Sequence, residues 1–509
     1  MSPKKSTALL VLGLSCAFSQ AAAPTRVAAK EAAKEDVTFA EHVAPIIFNS
    51  CASCHRPGEA APFPLTSYQE VKARGRLIAS MTSSGRMPPW KAAPGDYEFK
   101  NTRRLTDAEK DTLQRWVAAG MPEGDRSRTP SLPKFTAGWQ LGQPDLVVKM
   151  AEAFSVPSEG PDIYRNFVVP LNLAEDRWVR AVDFRPSARS VVHHSLFFLD
   201  STGSARARDA EDPEPGFDGS MGLGGRGLLP AGRGNAPAGA PPGAAATNFL
   251  AAGAQTLERL GSGLGGWALG GMARELPDGL AFFVPKGSDL ILSTHFHPSG
   301  KVEQEVSTVG LYFTDRPPSH PFTAVQLPPV FGVLEGLDIP AGDAQYTLHD
   351  SFVLPVDVKA FAAGAHAHYL AKDMKMTATL PSGESRTVLW INDWDFSWQD
   401  TYTFSDYVLL PKGTRLDVTI RYDNSADNPR NPSHPPKRVL WGEESFDEMG
   451  SMGLQLIAAN DADLPALRAA YGAHVRDAAR TRPGLRQLMQ RLMFSAGRTT
   501  TGDQPPSAR

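Results

Sequence analysis

The chain has 509 residues with 52 basic and 55 acidic side chains, a formal net charge of −3 and only three cysteines. At roughly 150 residues per folding unit, this length excludes a single ordinary core and points to roughly three units. The balanced charge excludes a broad field for gathering nucleic acid or anionic lipid, and the few cysteines exclude a disulfide framework.

Residues 1–23 have a secretory layout. Lys4 and Lys5 are basic, Ala8 to Phe18 is apolar, and Ala21 to Ala23 supply small residues suited to cleavage. An exported protein, periplasmic or extracellular, is expected. The apolar stretch is too short to span a bilayer, and no later run of about 20 apolar residues follows, so no transmembrane segment is expected. Cys16 falls inside this leader, where Gly13 stands in place of the aliphatic residue that lipid attachment favours.

The remaining cysteines lie in Cys51-Ala52-Ser53-Cys54-His55. Two thioethers followed at once by an axial imidazole is the arrangement that holds covalent haem c. A zinc site would need a second pair of Cys or His ligands nearby, and none is present. The flanks predict helices: Phe39 to Asn49, limited by Pro45, then Tyr68 to Ser83. A third helix starts at Thr106, where Thr106 and Glu109 have capping-box spacing, and ends at Gly120. Met81, Met87 and Met121 compete as sixth ligand. Met87 is preferred because Pro88-Pro89 fixes a rigid loop behind it. Residues 38–125 thus resemble the c-type cytochromes, in which Met-Pro commonly carries this ligand.

Beyond the Pro-containing linker (residues 126–134), the pattern changes to short β-rich runs at Asp145 to Lys149, Tyr164 to Leu171, Trp178 to Phe184 and Val191 to Leu199. The expected fold is therefore multidomain: a small all-α cytochrome c domain followed by two all-β domains of jelly-roll or β-sandwich type, residues 135–315 and 316–460. A Gly/Ala/Pro-rich insertion occupies residues 203–266. Residues 461–509 read as a helix broken near Pro483 and then a disordered tail.

Six of the twelve histidines fall in three groups: His193-His194, His295-Phe296-His297 and His366-Ala367-His368. On a strand, residues two apart share a face, so His366 and His368 present two imidazoles to one ion. His193 and His194 would point oppositely unless a bulge, strong twist or strand end intervenes. Imidazole-rich sites with few carboxylates suit copper or zinc, and an added thioether favours copper. Asp447-Glu448-Met449 supplies one, with Met452 as the alternative.

In this order, the histidine groups, the stretch Leu290 to Pro298 and Asp447-Glu448-Met449 resemble the type II copper, ascorbate-dependent monooxygenases, the family of dopamine β-hydroxylase and peptidylglycine α-hydroxylating monooxygenase. The resemblance implies an electron-donating copper on His193, His194 and His295, and a separate oxygen-activating copper on His366, His368 and Met449. His297 is left as a neighbour, although strand geometry alone lets either histidine of that pair serve. The implied activity is hydroxylation of a C–H bond of a small-molecule or peptide substrate by dioxygen. Ascorbate is the reductant that the family implies. The haem on Cys51, Cys54, His55 and Met87 offers another electron source, fed by an electron-donor protein. The competing readings are a haem-copper electron carrier or oxidase without hydroxylation, a non-catalytic exported binding module, and a zinc hydrolase, which lacks a His-Glu-x-x-His base. The family's disulfides have no counterpart in this sequence.

Overall fold

The structure, a computed structural model, describes residues 36–487 except 58, 60, 136, 137, 220–262, 269, 270 and 443. The expected leader, most of the 203–266 insertion and the tail beyond residue 487 lie outside the described residues. Among the described residues, no helix is long and apolar enough to cross a membrane.

The first helices form where apolar periodicity and capping place them. A π-helical turn, Phe39–Val43, runs directly into the α-helix Ala44–Ser50, with Pro45 near the junction of the two. The next helix is Tyr68–Ser83, capped by Ser67. The third, Asp107–Ala118, carries the complete Thr106/Glu109 capping box, and Gly120 follows at φ +82°. Val43, Ile47, Val71, Leu113 and Trp116 form the core between them.

The fold differs from the expected small all-α cytochrome c domain followed by two all-β domains. The chain is predominantly β-sheet, and no small all-α cytochrome domain stands apart among the described residues. The reason lies between the second and third helices, where the chain is extended and built into the β structure. Ala93 N–H donates to the Trp390 carbonyl and Lys100 N–H to that of Thr403, while Ser405 N–H donates back to Glu98. Phe99 forms a β-bridge with Phe404. Ala92 is part of the largest β core, against which Trp90, Tyr97 and Phe99 pack. These side chains pack on the sheets, Ala92 fully and the three rings partly buried there.

Two pairs of antiparallel sheets follow. In the first, Asp289–Phe296 runs between Ile163–Pro170 and Val192–Asp200. A facing sheet is built on Arg177–Arg185 and Thr308–Thr314, and Phe167, Phe197, Leu290, Leu292, Val309 and Leu311 fill the space between them. All eight residues of Asp289–Phe296 are buried, the polar Asp289, Ser293, Thr294 and His295 included.

In the second pair, Val358–Ala367 runs between Gly450–Ala458 and Thr401–Leu410. It faces a sheet ordered Tyr346–Val353, Arg415–Tyr422, Ala371–Thr379, Ser385–Ile391. The two pairs meet where Leu276 and Leu280 pack on Phe361, Ala362 and Ile457. The helix Leu464–Thr481 closes the second pair with Leu464 and Leu467, and Arg482 in extended conformation before Pro483 ends it. Buried Asp350 anchors that end through His474 Nε2 at 3.0 Å and Arg482 Nη2 at 2.5 Å.

Candidate metal centre

His194 pairs with His295 across the first sheet, but the next pair joins Phe296 to Val192, so His193 is the extra residue of a β-bulge. The bulge suspends strict alternation and lets neighbouring side chains share a side. His194 Nδ1 then lies 3.2 Å from His193 Nδ1 and 3.4 Å from His295 Nδ1. The ligating atoms of the three residues all fall within 4.8 Å of one another. Two imidazole nitrogens about 2.0–2.1 Å from one tetrahedral ion are about 3.3 Å apart, so this spacing fits a shared ion.

Burial first, and then the neighbouring imidazoles, lower the pKa of this group. His193 is pushed down to about 3 and His194 well below its usual value. For His295, burial lowers it while Asp162 acts oppositely. Neutral rings with available lone pairs are the form a metal takes. Asp162 Oδ2 lies 3.0 Å from His295 Nε2, an ion-pair contact between two buried groups. A carboxylate there favours the proton on Nε2 and leaves the Nδ1 lone pair facing the other two rings.

His297 is half-exposed, with Nδ1 2.7 Å from Asp162 Oδ1, and lies outside the three-histidine group. The structure thus brings together His193, His194 and His295, with His297 on the far side of the carboxylate.

His366 and His368 lie at the end of their strand with ring centroids 5.4 Å apart. His366 Nδ1 is 2.7 Å from Gln399 Oε1, and Gln399 Nε2 donates to the Phe396 carbonyl, which orients the amide. His366 Nδ1 is therefore the donor. His368 Nδ1 donates to the Asp447 carbonyl at 3.2 Å. Both rings keep the Nε2 lone pair for an ion. The backbone of His368 is fixed as well: its N–H donates to Glu448, and its carbonyl accepts from Trp394 Nε1 at 2.9 Å. Glu448 also accepts from Leu370 and Met449 N–H. Burial pushes its pKa up to about 8 against these bonds.

Met449 is nearly fully buried and immediately precedes Gly450, which pairs with Ala367, so the register sets it beside His368. Its carbonyl accepts from Tyr422 Oη at 2.9 Å. Met452, opposite Ala365 and Leu327, is fully buried further along the strand.

The resemblance implies two separate sites, yet the two histidine sets meet in one cluster. His194 and His366 have ring centroids 6.3 Å apart. Phe396 stacks on His193 at 4.2 Å and meets His368 at 5.4 Å. Asp162, Phe396 and Gln399 are absent from the sequence-based set, because a single Asp, Phe or Gln in a loop or strand end carries no periodic signal.

At the haem motif, Cys51 and Cys54 are free thiols, and burial together with Cys54 pushes Cys51 up to about 12. His55 Nδ1 donates to the Phe63 carbonyl at 3.0 Å, which leaves Nε2 to serve as an axial ligand. Two free thiols beside a histidine of this tautomer fit covalent haem. A Cβ at Gly75 would come within 2.5 Å of Met121 Sδ and 3.2 Å of Trp116, so Met121 fills the helix crossing. Met81 lies within Tyr68–Ser83. Met87 N–H donates to the Met81 carbonyl, and no hydrogen bond or ring contact among the described residues links Met87 to His55.

No family model and no curated protein matches the chain. Among solved structures, the infectious bursal disease virus VP2 subviral particle aligns at 8% identity over 65% of this chain and 76% of that one, with a TM-score of 0.18. The major capsid protein P2 of bacteriophage PM2 aligns at 11% identity over 62% and 97%, with a TM-score of 0.24. Similarity at this level carries no argument about fold or function.

Proposed function

We propose that this chain is an exported copper- and haem-dependent oxidoreductase, a monooxygenase that hydroxylates a C–H bond of a small-molecule or peptide substrate with dioxygen. The observation that carries the reading is the convergence of the His193, His194 and His295 Nδ1 atoms at 3.2 and 3.4 Å. His193, His194 and His295 would hold one copper, His366, His368 and Met449 a second, and Cys51, Cys54, His55 and Met87 the haem. When bound, the coppers supply one-electron redox chemistry and dioxygen activation, and the haem supplies a one-electron store.

The protein's own part is to prepare neutral, oriented donors. Asp162 faces Nε2 of His295, so the proton sits there and Nδ1 is available. Gln399 and the Asp447 carbonyl hold the Nδ1 protons of His366 and His368, which presents Nε2 from each. Phe396, buried between the two sets, excludes water from the space they share. Ascorbate or an electron-donor protein would supply reducing equivalents.

The test is turnover of the copper-loaded holoprotein under isotopically labelled dioxygen, with mass spectrometry over a panel of candidate substrates. Label in an alcohol product is expected. Oxygen consumed to peroxide or water without label in any product would make the chain an oxidase, and retention of zinc in preference to copper would remove the redox reading.

A further inference from the structure

We propose that Trp90 and Tyr402 form the path by which an electron leaves the haem near Met87 and reaches the metal held by His366 and His368. This rests on the haem-and-copper reading above. It differs from the family expectation, in which the His193 group is the electron-donating site.

The extended segment after Met87 gives the physical basis. Trp90 follows Met87 by three residues, and its N–H donates to the Pro88 carbonyl at 2.8 Å, which folds the segment tightly. Its ring meets Tyr402 edge-on with centroids 5.1 Å apart, and Phe99 meets both rings at 6.3 and 5.5 Å. Arg103 holds the arrangement in place: it lies 5.9 Å from the centre of the Trp90 ring and donates to the Pro89 carbonyl at 3.2 Å and to Asp400 at 3.0 Å.

Tyr402 is buried on Thr401–Leu410, opposite Ala363 of the strand Val358–Ala367, which carries His366 near its end. Three residues back along the chain, Gln399 reaches His366 Nδ1 at 2.7 Å. Aromatic rings, short covalent runs and one hydrogen bond thus connect Met87 to His366. Tunnelling decays more slowly through such packed, bonded atoms than across gaps. The step is one electron: ferrous haem is oxidised to ferric, cupric ion is reduced to cuprous, and no atom or proton is exchanged.

The experiment is flash photoreduction of the haem in anaerobic holoprotein, with ferrous haem decay followed optically. The wild type is expected to show a copper-dependent decay. Trp90→Leu and Tyr402→Leu should slow it by about tenfold or more, a barrier increase of about 1.4 kcal/mol, at unchanged haem and copper content. Trp90→Phe and Tyr402→Phe keep a ring in place and should stay near the wild-type rate, which separates loss of the path from loss of packing. Replacing His366 and His368 together should abolish the copper-dependent phase, while replacing His193 and His194 together should leave it. Unchanged decay in the leucine variants, or loss of the phase only with His193 and His194, overturns the path. Absence of covalent haem or of any copper-dependent decay in the wild type overturns the underlying reading instead.

Discussion

Phe396, carried by the second pair of sheets, stacks on His193 of the first with ring centroids 4.2 Å apart and planes at 27°. The same ring meets His368 at 5.4 Å and Tyr369 at 4.6 Å. One apolar side chain therefore touches both histidine sets and fixes the spacing between them.

Phe396→Ala should cost about 3–5 kcal/mol, because a nearly fully buried phenyl ring is removed from a packed junction. Chemical denaturation measures this, and Phe396→Leu should recover part of the loss. A cost below about 1 kcal/mol would mean that the junction closes without this ring.

Asp162→Asn should weaken copper binding at the His193 group by about 10–100-fold, the usual cost of losing a carboxylate behind a ligating imidazole. Competition titration against a chromophoric chelator reads the change, with His366 and His368 replaced in the background so that one site remains. Unchanged affinity would remove Asp162 as the residue that orients His295.

Gly450 leaves room for the Tyr422 hydroxyl that holds the Met449 carbonyl, and a Cβ there would overlap that oxygen. Gly450→Ala should therefore destabilise by about 1–3 kcal/mol, the typical cost of overpacking. Adding Tyr422→Phe removes the overlapping oxygen and should restore part of the stability, as read from the denaturation midpoint. No recovery in the double variant would locate the strain elsewhere, for instance at Ile420, whose Cδ1 is 3.1 Å from the same Cβ.

The histidine groups and the third helix were legible because their signals are local. Thr106 and Glu109 are three residues apart and form the capping box that their spacing predicts, and the His-x-His spacing brings the rings of His366 and His368 within 5.4 Å at the end of a strand. The doublet at His193 and His194 carried its own geometric demand, and the bulge meets it. Contacts between distant segments were not legible. Asp162 precedes His295 by 133 positions and joins it only because Ile163–Pro170 pairs with Asp289–Phe296. The closeness of His194 and His366 depends on how two pairs of sheets pack, which no periodicity records. The separate all-α domain failed for a related reason: Trp90, Tyr97 and Phe99 lie between the second and third predicted helices, and their packing against Tyr402 and Phe404 is a tertiary choice.

Thr106→Ala should lower stability by about 1 kcal/mol through loss of the reciprocal cap on Asp107–Ala118. Thermal melting followed by far-ultraviolet circular dichroism checks the direction, and Thr106→Ser should stay near the wild type.

The claim on which the rest depends is that three imidazoles from two adjacent strands hold a single copper ion. Diffraction from copper-loaded crystals, with anomalous differences recorded on both sides of the copper absorption edge, measures it directly. An anomalous peak about 2.0–2.1 Å from Nδ1 of His193, His194 and His295 is expected. Full copper loading with no peak among those three nitrogens would contradict it.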